Sequence, residues 1–109
     1  RLADNTIYGT IDILDIRFGS LWTNIPSTML KEAGIQNGDT ISVTIYHNGI
    51  KHYQNHILFG HSFADVPVGE PVGYINSLLN LGVAINQQNF SETYGVGTGV
   101  DWNIEITKI

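Results

Sequence analysis

The chain has no cysteine, which removes a disulfide framework, a zinc–thiolate site and a cysteine nucleophile together. Basic residues are scarce too: five Lys and Arg stand against ten Asp and Glu, a formal net charge of −5. With no basic run, a nucleic-acid partner held through its phosphates is disfavoured. No apolar stretch reaches membrane-spanning length and no signal-peptide pattern opens the chain, so no membrane partner and a cytoplasmic location are expected. Charged residues make up only 14% of the whole, while Thr, Asn, Gly and Ile are plentiful. That balance suits strands and turns better than helices. The 109 residues predict one domain, 1–109, large enough for a core without staples.

In order, the chain reads as all-β with two short helical turns. A long strand over 6–15 carries Ile7, Ile11 and Ile13, with a bulge suggested at Gly9. A second runs through Trp22 over 20–25. Pro26 to Gly34 gives two helical turns, with proline in the first turn and glycine as the stop. Residues 40–47 alternate Ile41, Val43 and Ile45 with Ser42, Thr44 and Tyr46, and Asn48-Gly49 is a hairpin signal. A two-residue loop there sets Ile45 opposite His52, apolar against polar. A three-residue loop, His47 to Gly49, sets Val43 opposite Tyr53 and is the preferred register, because a one-residue slip flips every side chain. Strands are expected at 57–63, 71–76, 80–85 and 101–108, with Pro67 to Pro71 as a rigid connector. Asn86 is expected to cap a helical turn within 87–94. About seven short strands with Gly-rich turns predict a single small antiparallel β-barrel, Greek-key-like.

The candidate chemistry is sparse. His52 and His56, four apart on a strand, would sit roughly 13 Å from each other, too far to share an ion, so no metal is expected. No Gly-x-Ser-x-Gly elbow supports a serine hydrolase. Gly95-Val96-Gly97 precedes a strand, not a helix, and reads as a turn and not a phosphate cradle. Asp12 and Asp15 are an odd number of residues apart and point to opposite strand faces, which disfavours joint acid/base work. Nothing here assembles a complete catalytic set.

What stands out is Asp15 to Pro26. A carboxylate, two large aromatics, a glycine between them and an Asn-Ile-Pro stop fall within twelve residues. Gly19 between Phe18 and Trp22 marks a bend that lets flat rings present a face. Two readings stay open: an aromatic core corner, or a stacking surface beside a carboxylate.

Three segments carry a family resemblance. Asp15-Ile16-Arg17-Phe18-Gly19-Ser20-Leu21-Trp22-Thr23-Asn24-Ile25-Pro26 resembles the Asp-x-x-Phe-Gly-Asn-x-Trp-Thr-Asn-Ile-Pro signature of the fluorinase, chlorinase and S-adenosylmethionine hydroxide adenosyltransferase family. Phe63-Ala64-Asp65-Val66-Pro67-Val68-Gly69-Glu70-Pro71 is similar to its Ala-Asp-Val-Pro-x-Gly-Glu-Pro segment. Tyr74-Ile75-Asn76-Ser77 resembles its Asn-Ser segment, followed by a strand and the turn at Ala84-Ile85-Asn86. The order and span match the family's C-terminal domain.

The resemblance implies displacement of methionine from the 5′ carbon of S-adenosylmethionine by water or a halide, with no cofactor besides that substrate. It implies a homotrimer whose sites lie between the N-terminal domain of one subunit and the C-terminal domain of the next. The water-activating Asp/Arg/His set belongs to the N-terminal domain, so no catalytic residue is expected here. By the match, Asp15 holds the methionine ammonium and Ser77 binds the amino-acid end. Phe18, Trp22 and Phe63 wall the adenosine pocket, and the backbone near Ile85, Asn86 and Gln87 meets the adenine edge. Two departures bear on the transfer: Ser20 replaces the family's adenine-contacting Asn, and Leu78-Leu79 follows Ser77 where the family has Ser-Gly or Arg-Gly. The expectation is the substrate-binding half of an S-adenosylmethionine hydrolase, inactive alone. A stand-alone β-barrel ligand-binding module, or a halide-using adenosyltransferase, is the alternative. The opening Arg1-Leu2-Ala3-Asp4, without Met, reads as part of something longer.

Overall fold

The computed structural model describes residues 2–109; Arg1, within the opening just noted, lies outside the described residues. Eight strands form one sheet: β1 (Leu2–Ala3), β2 (Thr6–Leu14), β3 (Leu21–Pro26), β4 (Thr40–His47), β5 (Ile50–Phe59), β6 (Pro71–Ile75), β7 (Asn80–Ile85) and β8 (Gly99–Lys108). Strand order β2-β3-β7-β6-β5-β4-β8, with β8 pairing back to β2, closes seven of them into a barrel, and β1 is appended to β2. Closure removes free sheet edges. Ile and Val point inward from β2, β4 and β8, so that Ile7, Ile11, Ile41, Ile45, Ile104 and Ile106 are fully buried.

Every seam is antiparallel except β5–β6, which is parallel. Antiparallel neighbours need only a tight turn, whereas a parallel pair needs a crossover. The crossover here is residues 60–70, which pass over the outer face of β6 and β7. It contains one 3₁₀ turn, Phe63–Asp65, begun by the Ser62 hydroxyl accepting from the Ala64 N–H at 3.3 Å. Phe63 and Val66 pack on Val72, Tyr74 and Ala84, a satellite cluster outside the barrel.

Several local expectations change. The β4–β5 loop has two residues, Asn48 (φ 53°) and Gly49 (φ 78°), and His47 pairs with Ile50. An extra residue in β5 between Lys51 and Tyr53 then shifts the register, so Ile45 faces Tyr53 and Val43 faces Asn55. Apolar still meets apolar at Ile45, through a bulge and not a longer loop. Residues 57–63 are not a separate strand: β5 runs unbroken to Phe59 and the chain then bends into the crossover. Gly9 is not itself the bulge; the β2–β8 register shifts between Thr10 and Ile11. A Cβ at Gly9 would lie 2.6 Å from Ile25 Cγ1, so glycine is needed there for close approach of β3. Helix α1 (Ser27–Glu32) begins after Pro26 and stops before Gly34, whose φ is +76°. Helix α2 (Phe90–Tyr94) is capped by Asn89, not Asn86, and ends on left-handed Gly95.

Candidate functional site

The bend after β2 is tied by three hydrogen bonds from one residue. Asp15 N–H donates to the Ser20 carbonyl (2.9 Å), its carbonyl accepts from the Gly19 N–H (2.7 Å), and its Oδ1 accepts from the Arg17 N–H (3.0 Å). The second carboxylate oxygen has no protein partner among the described residues, and Asp15 is half-buried. Gly19 is left-handed at φ +66°, and a Cβ there would overlap the Asn89 side chain, so both conformation and space demand glycine. The Gly19 carbonyl accepts from the Ser91 N–H at 3.1 Å, which docks the bend on the start of α2.

From the bend a row of aromatics crosses the outer barrel face. Trp22 Nε1–H donates to the Tyr74 hydroxyl at 2.9 Å. Phe63 meets Tyr74 edge to face at 5.3 Å between centroids and Phe18 at 5.5 Å. Such T-shaped pairs fix ring orientation while leaving faces open. Burial pushes the Tyr74 phenol above its ordinary 10.0; interactions with Ser20 and Trp22 oppose the rise, and the Asp15 charge adds to it. Phe18 remains 48% exposed.

Opposite the Phe18–Phe63 pair lies the tight turn after β7. Gln87 adopts φ +61° without glycine, and the Gln88 N–H donates to the Ile85 carbonyl at 3.2 Å. Between turn and rings is a cavity of about 270 Å³, lined by Arg17, Phe18, Phe63, Ile85, Gln87, Gln88 and Asn89. Two aromatic walls, three amides and one guanidinium, placed 5.5 Å from the Phe18 centroid, converge on it. The volume falls just under the roughly 300–1,000 Å³ usual for small-molecule sites.

Of the residues singled out in the sequence, Phe18, Phe63, Ile85 and Gln87 share this cavity. Trp22 stands one ring further along the row, behind Tyr74. Ser20 is fully buried and does not line the cavity; its hydroxyl influences Tyr74 without completing a hydrogen bond of good geometry. The Asn86 side chain donates to the Val66 carbonyl (2.9 Å), and its N–H to the Glu70 carbonyl (3.0 Å), so it pins the crossover. Ser77 is exposed in the β6–β7 turn, at the end of that hairpin away from Ile85, where the Asn76 carboxamide oxygen accepts from the N–H groups of Leu78 and Asn80. Sequence reasoning missed Arg17, Tyr74, Gln88 and Asn89. Asn89 carried a signal: Asn-x-x-Glu before a helix is a capping pattern, and Asn89 Oδ1 does accept from the Glu92 N–H at 2.9 Å.

Two other cavities lie elsewhere, about 350 Å³ beside α1 and about 380 Å³ beside Tyr8 and Tyr46 on the β2–β8–β4 wall. The first has Phe59 as its one ring; the second pairs Tyr8 and Tyr46 with Asn103 and Glu105 but shares no residue with the bend at Asp15–Ser20 or with Phe63. Among the described residues no three His, Asp or Glu side chains converge in a way that could hold a metal ion, and no helix is long and apolar enough to cross a membrane.

The chain is a closed β-barrel with a ring-walled, amide-rimmed cavity on its outer face. Residues 9–103 match the family model of the SAM (S-adenosylmethionine) hydroxide adenosyltransferase C-terminal domain, and the chain belongs to that family, which is one of enzymes. It is 32% identical over 108 residues to a fluorinase of an Actinoplanes species, covering 98% of this chain and 34% of that protein. A fluorinase of Nocardia brasiliensis is 26% identical over 106 residues, covering 96% and 34%. The chain thus spans about a third of the length of these relatives. Among solved structures, an uncharacterized conserved protein from Thermotoga maritima superposes with a TM-score of 0.84 at 25% identity, over 97% of this chain and 37% of that one.

Proposed function

We propose that this chain is the adenosyl-binding domain of an S-adenosylmethionine hydrolase, which converts S-adenosylmethionine and water to adenosine and L-methionine. In that reaction a water oxygen bonds to C5′, the C5′–S bond breaks with its electrons leaving on methionine sulfur, and the water gives up a proton. No residue of this chain is assigned the activation of water. That role falls to an N-terminal domain in a longer cytoplasmic protein, assembled as a homotrimer with shared sites, and the isolated domain is inactive.

The observation that carries the reading is the cavity in which Phe18 and Phe63 face a rim of amides. A flat heteroaromatic base needs an apolar wall for its faces and hydrogen-bonding groups along its edge, and the cavity brings both to one place. Asp15 does not line the cavity, but at the head of the same bend its half-buried carboxylate offers an oxygen to an ammonium, and a carboxylate–ammonium bond gains strength in a partly dry cleft. In this reading Trp22 braces the wall through Tyr74. Ser20 acts from behind the same wall, the backbone of Asn86 shapes the turn, and Ser77 meets the amino-acid end of the ligand.

Calorimetry with adenosine and S-adenosylmethionine tests this. Asp15→Asn keeps an oxygen for the Arg17 N–H while removing the charge. The expected outcome is weakened binding of S-adenosylmethionine, by about tenfold, with adenosine unchanged. Equal loss for both ligands would remove the ammonium role.

A halide nucleophile is the second reading, favoured by the relatives named fluorinases. Product analysis on the longer protein, with and without fluoride or chloride, separates the two: the hydrolase makes adenosine regardless of halide, and a halogenase makes the 5′-halo nucleoside.

A further inference from the structure

We infer that Asn89 is the specificity-determining donor of this cavity, reading a hydrogen-bond acceptor on the edge of the ring that lies against Phe18 and Phe63. The inference rests on the adenosyl-binding reading and adds to it a residue that the family signature does not include.

The orientation of the Asn89 amide is preset from both sides. Its Oδ1 accepts from the Glu92 N–H at 2.9 Å, and a backbone N–H there requires an acceptor, which fixes which end is oxygen and which nitrogen. The amide also lies over the Gly19 Cα, in the space a Cβ would fill, so the bend holds it in place. Nδ2 has no protein acceptor among the described residues, and Asn89 lines the cavity. Of the donors on the bend, the Ser20 hydroxyl is fully buried and does not reach that space, and the Arg17 guanidinium lines the cavity but is exposed and has no hydrogen bond to hold its orientation among the described residues. A donor held this way recognises a ring nitrogen at low entropic cost and disfavours an edge that presents a hydrogen in its place. Gln87 and Gln88 also carry amides, but both are exposed and neither is clamped on two sides.

The test separates reading from capping, because Asp keeps a capping oxygen and loses the donor, while Ser keeps the oxygen with a shorter hydroxyl donor. Adenosine binding to wild type, Asn89→Asp and Asn89→Ser is followed by chemical-shift titration alongside thermal unfolding. Both variants are expected to melt within a few degrees of wild type. Asn89→Asp is expected to bind adenosine about tenfold more weakly, with Asn89→Ser intermediate. In wild type one of 1-, 3- and 7-deazaadenosine is expected to bind about fivefold more weakly than adenosine, and that discrimination disappears in Asn89→Asp. Variants that bind adenosine like wild type would overturn the inference, as would a wild type indifferent to all three analogues; the adenosyl-binding reading would survive both. A wild type that binds no nucleoside would overturn both.

Discussion

Two of the ring groups on this barrel are built in opposite ways. Around Trp102, His47 stacks face to face at 4.0 Å and 6°, and His52 abuts edge-on at 5.0 Å. Asp101 pairs with His47 at 3.2 Å, and His52 Nε2–H donates to the Tyr94 carbonyl at 2.7 Å. A Cβ on Gly97 would lie 2.8 Å from Trp102 Nε1, so the loop closes tightly over that edge. Around Phe63 the contacts are T-shaped, Phe18 is half exposed, and a cavity opens beside both rings. In the first group Trp102 is buried under its ring partners and each histidine engages the chain through Nε2; in the second, Phe18 is half exposed and the amides of Gln87 and Gln88 have no hydrogen bond among the described residues. Aromatic content alone does not mark a site. Unspent ring faces beside unspent polar groups do.

This contrast can be broken by mutation. The largest effect is expected from Phe90→Ala: Phe90 is fully buried against Tyr53 and Tyr94, and its loss should cost about 3–5 kcal/mol in chemical denaturation. Gly19→Ala follows, at about 2–3 kcal/mol, because the left-handed φ and the overlap with Asn89 act together. Binding should fall with it, since the bend carries Phe18. Phe18→Ala should reverse that balance, changing stability by less than about 1 kcal/mol while weakening adenosine by about tenfold or more. Similar stability losses for Phe18→Ala and Phe90→Ala would erase the distinction between site and core.

The smallest effect concerns Asp65, at the start of the crossover. Its carboxyl is held below the ordinary 3.8, first by the His61 backbone N–H, which donates to Oδ2 at 2.6 Å, and also by the His61 side chain. A depressed carboxyl pKa stabilises the fold above 3.8 and loses that contribution as pH falls through the lower folded value. Asp65→Asn should therefore be slightly less stable than wild type at neutral pH. The two should converge in the most acid solutions, as read by melting temperature against pH.

Much of the barrel was legible because closed antiparallel sheets write their register in alternation. Ile41, Val43 and Ile45, and Ile104 with Ile106, announce one buried face. The β5 bulge was not legible, because β5 is paired with β6 as well as with β4 and its phase is set by both neighbours. The parallel seam was hidden for a similar reason: nothing local in residues 60–70 says on which side the next strand returns. At the site, Phe18 and Phe63 were read from the segments they share with the family. Asn89 was overlooked because Asn86 offered a competing cap, and only the structure shows the Asn86 amide engaged by Val66. The turn at Gln87 uses a positive φ with no glycine to signal it.

The most direct measurement is a residue-resolved chemical-shift titration of the chain with adenosine. The account requires progressive, saturable shifts at Phe18, Phe63 and Ile85 to Asn89, with Trp102, His47 and His52 unmoved. Shifts centred on Trp102, or none along the Phe18–Phe63 wall at saturating nucleoside, would contradict it.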